Sequence, residues 1–294
     1  MNRTRLPGTP DPHLTLMGSD NNKIAVDVWG DSNNPAVILI HGGGQTRHAW
    51  KGTGEKLAAA DYYAISIDLR GHGDSDWVNS EQGYTETELA ADLVRVIKAL
   101  QLIKPVLVGA SLGGMAALTA IGYELADAGA LVLVDIVPGF TKAGAARVLQ
   151  FMAMGAKGFD SLDEIKTLVT TYQSHRKSVH KSDGLSKNIR LGDDGRYYWH
   201  WDPAFLKRST DDYLEVQAAL KTCAENIDVP TLLVRGGLSD LLTDEGAQDF
   251  LKSCPQAEYI NVTDAAHMVA GDRNDIFTEA VINFLNKLSY EFSP

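Results

Sequence analysis

Residues 106–110 form an apolar run, Val-Leu-Val-Gly-Ala, which breaks at Ser111-Leu112-Gly113-Gly114 and resumes as the helix-forming stretch Met115-Ala116-Ala117-Leu118. The pattern reads as a buried strand, a sharp turn and a helix. Its centre, Gly109-Ala110-Ser111-Leu112-Gly113, matches G-x-S-x-G, in which a serine held in a strained turn projects its oxygen above a sheet edge. A side chain at either glycine would collide with the adjoining strand or helix. Ser111 is therefore a candidate nucleophile, the alternative being an ordinary turn between a strand and a helix. Because a hydroxyl is a poor nucleophile, the reading requires an acid and a histidine later in the chain, and N–H donors for an oxyanion.

The rest of the chain alternates in the same manner. Residues 13–17 and 23–29 flank a turn cluster and read as a hairpin, preceded by a polar leader, residues 1–12, expected to be mobile. The runs 36–40, 62–68, 106–110 and 130–135 are strands of the kind buried on both faces, separated by helical segments. One helical segment, 85–100, opens with Thr85 three residues before Glu88, a capping box. This rhythm implies a doubly wound, mostly parallel sheet with its chemistry at the carboxyl ends of the strands. It stops at Pro138. Residues 138–228 are mainly amphipathic helical segments around one hairpin-like stretch at Gly192-Asp193-Asp194-Gly195, and they read as an insertion between two core parts, 13–137 and 229–290. The second part carries strands at 230–236 and 258–262 and a closing helix at 276–288.

Composition narrows the partners. The 294 residues include 38 acidic and 27 basic side chains, for a net charge of -11, and no basic block offers a grip on nucleic acid or an anionic membrane. No run approaches the roughly 18 apolar residues of a membrane span, and the leader has no apolar core for a secretory signal. A cytoplasmic protein is expected. Cys223 and Cys254 fit two reduced buried thiols, and their spacing fits neither a disulfide framework nor a metal site.

The partners that Ser111 needs occur in order. Asp240 lies four residues past a strand end and is the expected acid, with Asp135, at the end of the preceding strand, as its rival. His267, between the last strand and the last helix, is the expected base, with Asp264 beside it as a turn former or helper. His13, His175, His180 and His200 read as surface or packing residues, and His41 and His72 as braces for their loops. The oxyanion donors are assigned to the N–H groups of Gly43, favoured over Gly44, and of Leu112 at the helix start. The aromatic residues of the insertion either pack it onto the core or wall a binding site. On the second reading Gly44, Phe140, Met152, Trp199, Trp201 and Met268 contact substrate.

Taken in order, His41-Gly42-Gly43-Gly44, the stretch 68–76 (DLRGHGDSD), the GASLGG elbow, the aspartate of GGLSD and the histidine of AAHMV make the chain resemble the α/β-hydrolase fold family over residues 24–288. The resemblance implies an eight-stranded, mostly parallel sheet with a helical cap inserted after the sixth strand. It also implies a Ser111, His267, Asp240 triad needing no metal or organic cofactor. Within the family the pattern is similar to the capped branch of esterases, lactonases, C–C bond hydrolases and cofactor-free haloperoxidases. The expected activity is hydrolysis of a small to medium hydrophobic ester or lactone through an acyl-enzyme. The alternatives are cleavage of a ring-cleavage diketone, perhydrolase or haloperoxidase chemistry, and a ligand receptor built on the hydrolase fold. A homodimer is compatible with all of these.

Overall fold

Each apolar run becomes a strand of one sheet. The computed structural model describes residues 3–78, 81–172, 185–207, 213–272 and 274–291. Its strands are β1 (Arg3–Arg5), β2 (Leu14–Met17), β3 (Lys23–Trp29), β4 (Ala36–Ile40), β5 (Tyr63–Ile67), β6 (Val106–Ala110), β7 (Ala130–Val134), β8 (Ile189–Gly192), β9 (Tyr197–Trp199), β10 (Thr231–Gly236) and β11 (Ala257–Val262). Its α-helices are α1 (Lys51–Ala59), α2 (Glu86–Ala99), α3 (Leu112–Gly122), α4 (Lys142–Ala153), α5 (Leu162–Tyr172), α6 (Tyr213–Glu225), α7 (Asp244–Ser253), α8 (Val269–Asp272) and α9 (Asn274–Glu291).

Eight strands lie in the order β11-β10-β7-β6-β4-β5-β3-β2. All pairings from β11 to β5 are parallel, and β3 and β2 complete the sheet antiparallel. Alternate residues of β4 enter separate cores. Ile38 and Ile40 pack with Leu89, Leu93 and Leu112 of α2 and α3, while Val37 and Leu39 pack with Leu57 of α1 and Phe277 of α9. Coverage of both faces is why β4 is apolar at every position. The Thr85 cap forms as expected, its hydroxyl accepting the N–H of Glu88 at 3.3 Å.

Between β7 and β10 the chain leaves the sheet and forms α4, α5, the β8–β9 hairpin and α6. The leader is not loose there: Arg3–Arg5 pairs antiparallel with β8, making a three-stranded sheet β1-β8-β9. Pairing satisfies backbone groups of β8 that would otherwise form an open edge. The Arg3 guanidinium also lies 4.1 Å from the ring centre of Tyr198 and 5.2 Å from that of Trp77, so it is held by cation–π contact.

The DLRGHGDSD stretch folds around buried charge. Asp68, at the end of β5, accepts the Arg47 backbone N–H and its guanidinium, both at 2.6 Å, and the N–H of Asp74 at 2.8 Å. Arg47 also reaches Asp27 at 3.0 Å and Asp74 at 2.9 Å. Arg70 binds Asp92 of α2 through two nitrogens, at 2.6 and 2.8 Å. Gly73 is required because a Cβ there would lie 2.1 Å from Asp68 Oδ2. Removing one partner leaves the other charge uncompensated in the interior. Asp68→Asn should lower the unfolding free energy by about 3–5 kcal/mol; a urea midpoint close to wild type would show that the network contributes little.

Candidate active site

Ser111 sits between β6 and α3 with φ +47° and ψ -115°, a left-handed conformation that costs a non-glycine residue about 1–3 kcal/mol. Its N–H donates to Val134 O at 3.1 Å and its carbonyl accepts the N–H of Met115 at 3.0 Å, which fixes the turn at both ends. The turn is tight beneath the serine: a Cβ on Gly109 would lie 2.4 Å from Gly113 O, and one on Gly113 2.3 Å from Ile40 O. Only glycine fits either place. The serine itself is half-buried and lines two cavities.

His267 lies in the connection between β11 and α8, and its Nδ1–H donates to Asp135 Oδ2 at 2.7 Å. Asp135 directly follows β7, the strand next to β6, and is fully buried, whereas the His267 side chain is 19% exposed. The other acceptor sites of the carboxylate are also used. Gly236 N–H donates to Oδ1 at 2.9 Å and the Ser239 hydroxyl to Oδ2 at 2.5 Å. Asp135 has φ +53°, a second strained residue at the same rim.

Asp240, the acid expected from the sequence, does not reach His267. The Gly236–Ser239 segment turns back on itself, with Ser239 N–H bonded to Gly236 O at 2.9 Å, so Ser239 meets the buried carboxylate and the next residue faces outward. The Asp240 side chain is 43% exposed and pairs with Arg147 of α4. Its backbone carbonyl accepts the Thr141 hydroxyl at 2.7 Å, so this loop anchors the insertion. The carboxylate that His267 reaches is the rival, Asp135. Asp264 is exposed in the turn after β11.

The glycine loop after β4 is built around two neutral histidines. Leu69 N–H donates to Nε2 of His41 at 3.0 Å, so Nδ1 carries the proton and donates to Gly42 O at 2.8 Å. Gly42 N–H is taken by Gln45 Oε1 at 3.0 Å. From the insertion, His200 accepts Gly73 N–H on Nδ1 at 2.6 Å and donates from Nε2 to Gly44 O at 3.2 Å. Expected only to pack, it tethers the loop. Leu112 N–H opens α3, where no intrahelical acceptor exists. Among the described residues neither it nor Gly43 N–H has a hydrogen-bond partner, nor is Ser111 hydrogen-bonded to His267.

The two cavities meet at Ser111. The smaller, about 140 Å³, is walled by apolar residues including Ile136, Phe140, Leu149 and Val216. The larger, about 370 Å³, contains His267. Gly44, Trp199, Trp201 and Met268 line the larger chamber, Phe140 the smaller, and Met152 both. Trp199 and Trp201 stack at 4.8 Å and pack the insertion while facing the chamber, so the two sequence readings of the aromatics are compatible. His13 packs beside Trp29 at the start of the sheet, and His175 and His180 lie outside the described residues. Among the described residues no cluster of side chains could hold a metal ion and no helix is long and apolar enough to cross a membrane.

The fold has counterparts among known proteins. A sequence model of the alpha/beta hydrolase fold matches residues 35–273, and the chain belongs to that family. It is 29% identical to "Esterase Rv0045c" of Mycobacterium tuberculosis over 88% of this chain and 85% of the relative. A solved structure of that esterase superposes with a TM-score of 0.73 at 26% identity, covering 97% of this chain and 92% of the other. The fold is also that of E-2-(acetamidomethylene)succinate hydrolase, with a TM-score of 0.81 at 20% identity, covering 93% of this chain and 98% of that one.

The histidines around the glycine loop make stability depend on pH. Burial holds His41 down to about 4, with Arg47 adding to the effect, and His72 down to about 3, with His41 adding. Burial also depresses His200. Unfolded, each titrates near 6.5, so below that pH the unfolded chain binds protons the folded one refuses. Their contribution is complete above about pH 6.5 and is lost as the pH falls toward 4. For His41 the loss amounts to roughly 3 kcal/mol. The urea midpoint should therefore drop between pH 7 and pH 5; a midpoint unchanged across that interval would contradict the assignment.

Proposed function

We propose that the protein is a serine hydrolase that cleaves a carboxylic ester or lactone of modest size, with Ser111 as nucleophile, His267 as base and acid, and Asp135 as its orienting carboxylate. The observation that carries this reading is the buried Asp135–His267 hydrogen bond at the wall of a chamber that also contains the strained Ser111. The relative named as an esterase, Rv0045c, supports the same class of reaction.

In the mechanism, His267 Nε2 takes the proton of the Ser111 hydroxyl as the oxygen attacks the ester carbonyl. Asp135 keeps the other nitrogen protonated and stabilises the imidazolium that results. The N–H groups of Gly43 and Leu112 receive the tetrahedral oxyanion; an interaction of this kind is worth about 10²–10³ in rate per donor. His267 then returns the proton to the departing alcohol. Water, deprotonated by the same imidazole, cleaves the acyl-enzyme and regenerates the serine. In apo enzymes the bond between nucleophile and base is commonly long, tightening when substrate fills the site.

Four variants assayed on 4-nitrophenyl butanoate test the roles. Ser111→Ala and His267→Ala should each lower kcat/KM by about 10⁴ or more, and Asp135→Asn by about 10³–10⁴. Asp240→Asn should cost less than about tenfold, as for an exposed side chain. Substantial turnover by Ser111→Ala would end the mechanism, and a larger loss from Asp240→Asn than from Asp135→Asn would return the acid to residue 240.

A further inference from the structure

The two chambers at Ser111 are not equivalent. Only the larger is lined by His267. The imidazole must hand its proton to the departing oxygen, so the alcohol half of an ester lies on the His267 side and the acyl half opposite. This assignment rests on the serine mechanism proposed above. The acyl side is then the small apolar chamber, about 140 Å³, close to the roughly 150 Å³ void known to take up one benzene.

The two sides differ in charge: the largely apolar wall of the small chamber carries one acid and one base, Glu86 and Lys142, whereas the alcohol side carries a cation without an acid among the described residues. Lys187, on the short turn Ser186–Asn188 that leads into β8, lines it, and no aspartate or glutamate does so among the described residues. The Lys187 carbonyl is engaged by Arg190 at 3.2 Å, but among the described residues no carboxylate pairs with its ammonium. In a chain with 38 acidic residues against 27 basic ones, an unpaired cation in an acid-free chamber runs against composition. Besides His267, the other ionisable groups on that wall are Tyr172, whose phenol burial pushes up, and His48, held near 4 by burial first and then by Arg47, with Lys187 also contributing; both are neutral at pH 7. The remaining polar side chains on that wall, among them Gln45, Thr46 and Asn188, can hydrogen-bond but carry no charge.

The geometry points to an ester of a hydroxy acid: a short apolar acyl group in the small chamber, and an alcohol bearing a carboxylate in the large one, where the carboxylate pairs with Lys187. Hydrolysis adds water across the acyl–oxygen bond and releases the short acid and the free hydroxy acid. The partly desolvated ion pair turns the charge of the leaving group into specificity.

A matched pair of substrates tests this: 4-(butanoyloxy)benzoate, and 4-(butanoyloxy)benzamide, which has the same shape and no charge. Wild type should favour the carboxylate in kcat/KM by on the order of tenfold or more, the size of one hydrogen bond to a charged group. Added salt should reduce that ratio. The ratio should fall to about one in Lys187→Met, persist in Lys187→Arg and invert in Lys187→Glu; being a ratio, it is insensitive to any general loss of activity. A wild-type ratio at or below one, or a preference that Lys187→Met leaves intact, overturns the inference. If both substrates are hydrolysed in a Ser111-dependent manner without preference, this inference alone fails. Turnover that survives Ser111→Ala removes the serine mechanism as well.

Discussion

The close packing beneath Ser111 is the constraint on which the site depends. A left-handed serine is unfavourable by itself, and it persists because the surrounding contacts allow no alternative: β6 is locked into the parallel sheet, α3 begins immediately, and Gly109 and Gly113 touch backbone where any side chain would collide. Relaxing the turn would push α3 away from β4, whose Ile40 carbonyl lies against Gly113. The strain is therefore spread over the central strands. In return the hydroxyl stands at the junction of two chambers, and Leu112 N–H, at the positive end of α3, lies next to it.

The carboxylate comes from the adjacent strand for a related reason. Residue 135 directly continues β7, which pairs with both β6 and β10, so its position is fixed by two ladders before any loop forms. Its N–H extends the β10 pairing through Val234 O at 2.8 Å, and its carboxylate receives donors from Gly236 and Ser239 at the end of β10. An acid carried four residues out on a loop would depend on that loop's conformation. Here the loop does different work: through Thr141 and Arg147 it ties the insertion to the rim of the small chamber.

Much of this was legible in the sequence, for identifiable reasons. Uninterrupted apolar runs specify strands covered on both faces, and the G-x-S-x-G spacing specifies a turn that only glycine permits. Position after the last strand was enough to single out His267. Asp135 and Asp240 could not be separated that way, because both follow a strand on the correct edge. What decides between them is the reverse turn at Gly236–Ser239, a tertiary contact. The signal that favoured Asp135 was its place immediately after a strand, with no loop between. The leader was misread because its three-residue strand is stabilised by β8, nearly 190 residues away, and by Arg3 stacking on two rings, neither of which leaves a local pattern. Lys187 and His200 carry no motif; their significance arises from what the insertion places beside them.

His200 also shows why the insertion and the glycine loop cannot be treated as wall and machinery respectively. One imidazole joins Gly73, in the turn braced by Asp68, to Gly44, in the proposed oxyanion loop. Protonating it would replace the acceptor at Nδ1 with a donor facing the Gly73 N–H, so the bridge exists only for the neutral ring. Burial supplies that neutrality, and His72, 5.8 Å away, would add repulsion if charged. The buried Arg47 and Asp68 cluster, the histidine column and the backbone of residues 42–44 thus form one connected support. Its outermost member is contributed by the insertion, which also lines both chambers, so displacing the insertion would loosen the loop proposed to hold the oxyanion.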